Sequence, residues 1–451
     1  MDPVLIGIAG LAILLALIVI RIPIAYTMIL VGGCGVMILN GPALVLSQLK
    51  TLAYGQFSFH GLSVVPMFVL MGCLAARTGL SAALFRAANA WLGWLRGGTA
   101  MAAIAACAGF GSVCGSSLAT ASTMGRIALP ELRRYNYSNA LATGSLAAGG
   151  VLGILIPPSV VLIIYAIIVE ANIVEMFMAA LVPGLLAVAL FMLTIGAYVI
   201  VHPEAGPRGK GTDRRELIEA TIGILPVMVI FGLVLGGIYA GFFNPTPAAS
   251  VGVFLVLAYG FARGQVSRPV IVDVVRETAG TTGMIYLILF GAELMKIFLA
   301  RAGLPQTTAA WVVETGMEPL TVMILFLLAL IALGCLLDSL SMILLLVPFF
   351  WPVLVETNGG IYQGAEGSGF GMSTEDLKIW FGILALVVVE LGLITPPVGL
   401  NVFVISALAR DVPMIETFKG VAPFFGAELV RVVVLLFFPA LTLWLPGLLA
   451  G

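Results

Sequence analysis

Leu152-Gly153-Ile154-Leu155-Ile156-Pro157-Pro158 and Leu391-Gly392-Leu393-Ile394-Thr395-Pro396-Pro397 carry the two Pro-Pro dipeptides of this 451-residue chain. Each lies inside a long apolar run. Proline supplies no backbone donor and disfavours the helical conformation of the residue before it, so each run is predicted to be a helix broken near its middle. One such break is a kink. Two, in corresponding halves of a membrane protein, mark a binding centre, because carriers built from inverted repeats join their discontinuous helices near the bilayer midplane.

Composition puts these runs in a bilayer. The chain is 61% hydrophobic and 10% charged, whereas a soluble domain of this size must keep a wetted surface. Spanning segments of about 20 apolar residues recur from Leu5 to Leu449, with no alternating strand pattern. The fold class is therefore an all-α polytopic membrane protein. Val4 to Ile20 lacks a basic leader and an Ala-x-Ala site, which reads as a retained span rather than a signal peptide. The net charge of -1 says little, and no nucleic-acid partner is expected. Cys34, Cys73, Cys107, Cys114 and Cys335 are scattered in apolar stretches, so they read as packing residues and not as a disulfide framework or zinc site. His-Glu-x-x-His, Gly-x-Ser-x-Gly and phosphate-loop motifs are absent, so no catalytic residues and no cofactor are expected.

The polar stretch His202 to Glu216 divides the chain, and the same landmarks recur on both sides of it. Pro23 returns as Pro247, Arg77-Thr-Gly79 as Arg301-Ala-Gly303, Gly111 as Gly334 and Gly153 as Gly392. The separation is nearly constant for the first three and longer for the last, which locates an insertion around Glu356 to Lys378. Basic residues favour the cytoplasmic side, which places Arg133-Arg134, Arg208 to Arg215, Arg263, Arg268 and Arg276 inside. Glu170 to Glu175 and the insertion then fall outside. The walk gives five crossings and one hairpin per half, so the second repeat is inverted relative to the first.

The expected organisation follows from that walk. Residues 1–201 form the first repeat, with scaffold spans 4–40 and 176–201, an arm helix about 82–95, a re-entrant hairpin about 98–130 and a broken helix about 138–167. Residues 202–218 are a cytoplasmic linker. Residues 219–451 form the second repeat, with scaffold spans 219–262 and 420–448, an arm about 302–317, a hairpin about 319–353 and a broken helix about 379–409.

Irregular backbone at membrane depth must be buried in protein or line a cavity. The hairpin tips, Gly111 to Ser117 and Gly334 to Ser339, meet that condition beside the breaks at Pro157-Pro158 and Pro396-Pro397. Carbonyls freed by the prolines and hydroxyls from the tips compose a hard oxygen cage suited to sodium. Site one draws on Ser112, Gly115, Ser116 and Ser117 with carbonyls from Gly153 to Ile156. Site two draws on Gly334, Asp338, Ser339 and Thr395 with carbonyls around Gly392. Serines and threonines in membranes also commonly bond to their own or a neighbouring helix. Asp338 is harder to assign to packing, because a carboxylate in mid-membrane costs at least about 2.5 kcal/mol. The repeat sets Gly115 opposite Asp338, so the two sites differ in charge.

Helix N-termini after the breaks can face an anion, and Ser159 and Asn401 stand there. Arg301 falls on the outer side, where topology does not call for a cation; its guanidinium matches a carboxylate, and a snorkelling interfacial residue is the alternative. Trp91, Trp94 and Trp311 fit interfacial arms.

Gly-Ser-x-x-Gly-Ser-Ser-x-Ala-Thr-Ala-Ser (Gly111 to Ser122), Gly153 to Ser159, Leu337-Asp338-Ser339 and Thr395-Pro-Pro-Val-Gly-Leu-Asn401 resemble the large membrane subunit of tripartite ATP-independent periplasmic (TRAP) transporters. The resemblance implies sodium-coupled uptake of an organic acid by an elevator motion in the bacterial inner membrane. It also implies two partners, a small four-helix membrane subunit and a periplasmic substrate-binding protein, and it carries Arg301 over as a substrate contact. An ion-translocating subunit of a membrane enzyme, such as a sodium-pumping decarboxylase, and a self-sufficient sodium/anion symporter are the alternatives.

Overall fold

A computed structural model describes residues 2–209 and 213–449, all of them helical or in connecting turns and loops. Lys210, Gly211 and Thr212 of the expected linker lie outside the described residues. The first half contains α1 Pro3–Val19, α2 Ile24–Asn40, α3 Pro42–Phe57, α4 Val64–Arg77, α5 Leu80–Leu92, α6 Gly98–Cys114, α7 Ser117–Arg134, α8 Asn139–Leu155, α9 Val160–Val169 and α10 Ile173–Val201. The second contains α11 Arg214–Tyr239, α12 Pro245–Ala262, α13 Arg268–Arg301, α14 Leu304–Glu314, α15 Pro319–Gly334, α16 Ser339–Asn358, α17 Thr374–Gly392, α18 Leu400–Leu408, α19 Met414–Phe437 and α20 Ala440–Leu449. Among the described residues seven helices are long and apolar enough to cross a membrane, or eight if α8 and α9, bent by 44°, form one span. This is a multi-pass membrane protein.

Short polar caps start the helices that follow the tips and the first break. Ser116 accepts from Ala119 N at 3.4 Å, Ser159 from Leu162 N at 3.4 Å and Asp338 from Ser341 N at 3.2 Å. Each satisfies a backbone donor that a helix start leaves open. After the second break the cap is Gly399, whose φ of 56° suits glycine.

Packing sorts the helices into two groups. Helices α1, α2, α3, α4, α11, α12 and α13 pack on one another as a frame drawn from both halves. Within it α2 meets α13 so closely that a Cβ on Gly32 would lie 2.8 Å from the Leu294 carbonyl carbon. The other group surrounds the broken helices: α8 lies among α6, α7 and α19, and α17 lies against α10, α15 and α16. Arms α5 and α14 run along the border, α5 between α6 and α11 and α14 beside α16.

The grouping corrects the expected scaffold. Segments 176–201 and 420–448 were assigned to the frame, yet α10 and α19 pack on the broken-helix group and α20 packs on α10 and α17. Hydropathy identifies a span but not its neighbours. The neighbour of α19 is set by Gly144 and Gly420, which bring two backbones into contact, and by Arg431, fully buried, whose Nη1 donates to Pro183 O at 3.3 Å. Glu428 neutralises that guanidinium from one turn back, 2.5 Å away.

Each tip-bearing helix crosses its broken helix glycine on glycine, Gly111 over Gly153 and Gly334 over Gly392. A Cβ on Gly392 would stand 2.5 Å from Gly334 Cα, and one on Gly111 would stand 3.0 Å from Gly153 N.

Candidate ion and substrate site

Both tips open onto one cavity of about 220 Å³ between the two groups of helices. Gly115, Ser116 and Ser117 line it from the first tip and Asp338 and Ser339 from the second, while Cys73 of α4 and Glu277 of α13 face them from the frame. Glu277 is paired at 3.3 Å with Arg77, so the cavity lies toward the Arg77 end of the frame.

Around the first tip the chemistry follows from the prolines. A helical carbonyl accepts from the residue four ahead, and four ahead of Gly153 and Ile154 stand Pro157 and Pro158. Among the described residues neither carbonyl receives a hydrogen bond. Ile156 closes α8 by donating to Leu152 O at 3.4 Å. Beside Gly153, Thr120 Oγ1 is buried without a partner; a Cβ on Gly153 would lie 2.5 Å from it and 2.8 Å from Ser116 O. Oxygen atoms thus converge where the glycine leaves room, which suits a hard cation better than a soft one. Thr120 was not among the residues singled out in the sequence. Ser112, which was, donates to Gly109 O of its own helix at 2.9 Å and does not line the cavity.

The second tip is arranged differently. Asp338 caps α16, its carboxylate accepting from both the backbone N–H and the hydroxyl of Ser341, and it also lines the cavity. The two carbonyls that correspond to the bare pair of the first break are occupied here: Gly392 O accepts from Thr395 N at 3.1 Å and Leu393 O from Asn401 N at 3.1 Å. The Thr395 hydroxyl donates to Leu391 O at 2.7 Å. The second tip therefore adds the side-chain oxygens of Asp338 and Ser339, whereas at the first break the carbonyls of Gly153 and Ile154 are bare.

Between the tips stands a residue that the motif reading missed. Glu390 of α17 is fully buried, and its two carboxylate oxygens accept from Ser117 of the first half and Ser339 of the second. The signal was present: Glu390 is the sole charged residue from Ile379 to Leu393, and the desolvation argument that singled out Asp338 applies to it equally.

The three substrate candidates do not reach this cavity. Ser159 is buried as the cap of α9. Asn401 is buried, with Nδ2 donating to Ala147 O at 3.3 Å across the two halves. Arg301 is exposed at the far end of α13, about 36 Å along the helix from Glu277 at 1.5 Å per residue. No cluster of three or more His, Cys, Asp or Glu side chains suited to a metal occurs among the described residues.

A multi-pass helical protein whose two halves each carry a capped tip and a proline break to one internal cavity is built as a membrane permease. The chain belongs to the family described as the tripartite ATP-independent periplasmic transporter, DctM component, which it matches over residues 11–441. It is 33% identical over 389 residues, 86% of each chain, to the C4-dicarboxylate TRAP transporter large permease protein DctM of Pseudomonas aeruginosa. It is 29% identical over 442 residues, 97% of each chain, to the sialic acid TRAP transporter large permease protein SiaM of Vibrio cholerae. In fold it is similar to the crystal structure of the Alcanivorax borkumensis YdaH transporter, with a TM-score of 0.62 at 15% identity over 98% of each chain. Membership makes the chain a transport permease rather than an enzyme, which sets aside the decarboxylase alternative.

Proposed function

We propose that this chain is the sodium-coupled permease of an organic-acid importer, receiving a carboxylate substrate from a periplasmic binding protein and working with a small four-helix subunit in the bacterial inner membrane. The observation that carries the reading is the convergence of the first tip on α8: two carbonyls without donors and an unpartnered Thr120 hydroxyl gather beside Gly153. Asp338 supplies the charge of a second ion site. The relatives named for a dicarboxylate and for sialic acid support a carboxylate as the substrate class.

Alternating access is the motion of the broken-helix group against the frame, an elevator step in which hairpins and breaks of two inverted repeats travel together. The cavity lies near the Arg77 and Glu277 end of the frame, which the distribution of basic residues assigns to the cytoplasm. The present arrangement is thus the inward-facing one, and Arg301 is the residue of the outer station. Two sodium ions accompanying a monocarboxylate carry one net charge inward, worth roughly 2.3 kcal/mol per 100 mV.

The test is reconstitution. Proteoliposomes holding this chain and its small subunit should accumulate labelled organic acid only with an inward sodium gradient and the binding protein. Uptake that persists when choline replaces sodium refutes the coupling, and uptake without the binding protein refutes the tripartite reading.

A further inference from the structure

We infer that Glu390 is the shared positioning residue of the two ion sites, orienting a hydroxyl at each and making sodium binding at one depend on the other. The inference rests on the sodium reading proposed above and adds a residue and a coupling to it.

The argument starts from what a serine hydroxyl holds: one proton to donate and two lone pairs. An ionised carboxylate only accepts. Ser117 and Ser339 each meet one oxygen of Glu390, so each hydroxyl's proton is committed to that oxygen. What each can still present to the cavity, which both residues line, is lone-pair density. A hydroxyl held in this way is a ligand for a cation and cannot act as a donor. Partners behind metal ligands act in this manner, fixing the orientation and basicity of the atoms that touch the ion.

Burial opposes the ionised form, and the two hydroxyl donors and the helix starts around Glu390 act against that cost. Ser117 and Ser339 are the first residues of α7 and α16, so Glu390 faces two helix N-termini, where anions are favoured. The first site has Gly115 where the second has Asp338, and so lacks a carboxylate of its own. Glu390 supplies one, one hydrogen bond removed from the ion. Because a single carboxylate serves both hydroxyls, an ion that draws Ser117 into place fixes Glu390 for Ser339, and the reverse.

The experiment is the sodium dependence of uptake in the reconstituted transporter. For the unaltered protein the Hill coefficient is expected near 2. Glu390→Gln presents an amide donor to one of the two serines, capturing the lone pair meant for the ion. It is expected to lower the Hill coefficient toward 1 and to raise half-saturating sodium about tenfold, with assembly intact by size exclusion. Glu390→Asp keeps the charge but is too short to reach both tips, and should lose the cooperativity as well; it serves if the glutamine variant does not assemble. In a Ser117→Ala, Ser339→Ala background the glutamine change should add little, because contacting residues are not additive.

A wild-type Hill coefficient in either Glu390 variant, or an equal added loss in the double-serine background, overturns the inference while leaving sodium coupling standing. Uptake by the unaltered protein that ignores sodium overturns the coupling and the inference together.

Discussion

Replacing Gly392 by alanine should damage both stability and transport, and the structure gives the size of the effect. The new Cβ would lie 2.5 Å from Gly334 Cα, 2.6 Å from its carbonyl carbon and 2.9 Å from its oxygen. All three are backbone atoms, so no rotamer change relieves the contact. Carbon atoms at such positions do not stand closer than 3.0 Å, so α15 and α17 must part by about half an ångström. Overpacking of this kind costs about 1–3 kcal/mol, against which the better helix propensity of alanine returns up to about 1 kcal/mol. A net loss of about 1.5 kcal/mol, with unfolding entropy of about 2.1 cal/mol/K per residue, lowers the midpoint by only about 1.5 °C in a chain of this length. Transport should suffer more than stability. Glu390 is two residues away on the same helix, and it holds Ser339 just beyond the tip that follows α15. Thermal unfolding in detergent and uptake in proteoliposomes measure the two effects. Gly232→Ala in α11, where nothing lies within 4 Å, is the control expected to match the parent or exceed it. Equal midpoints and equal uptake for the two variants would refute the claim that the glycine crossing holds hairpin and broken helix together.

Asp338→Ala should abolish sodium-dependent uptake while the protein still assembles, and loss of the cap on α16 should cost about 1 kcal/mol. Asp338→Asn keeps a capping oxygen without the charge, so retention of uptake by that variant would assign Asp338 to capping alone. Thr120→Val, which removes the unpartnered hydroxyl beside Gly153, should raise half-saturating sodium with little change in the unfolding midpoint. Cys73 and Cys114 line the cavity from the frame and from the first tip, so a short bifunctional thiol reagent should arrest uptake until reduced. Cross-linking that leaves uptake at full rate would show that frame and tip do not move apart during transport.

Much of this architecture was legible in the sequence because its devices are local. Pro157-Pro158 and Pro396-Pro397 end α8 and α17 by removing donors, and Ser116, Ser159 and Asp338 start the helices beyond, each within a few residues of the feature that dictates it. The placement of α10 and α19 was not legible, because apolar length says a segment spans and says nothing about what it spans beside. Thr395 shows the same limit at the scale of one side chain. Its position before the prolines suggests an ion ligand, and the structure adds what the motif does not show, that its hydroxyl proton goes to Leu391 O in the turn that ends α17. Glu390 was legible as the one charge in the apolar run from Ile379 to Leu393, two residues before the glycine of the break, but it belongs to neither a tip nor a proline motif.

The contact between α8 and α19 bears on how the protein is made. Gly144 rests on the backbone of Gly420, and Ala147 O waits for the side chain of Asn401. A ribosome that has delivered the whole first half has delivered a broken helix with one flank uncovered until α18 and α19 arrive. The packing of the first half is therefore completed only when the second is in place.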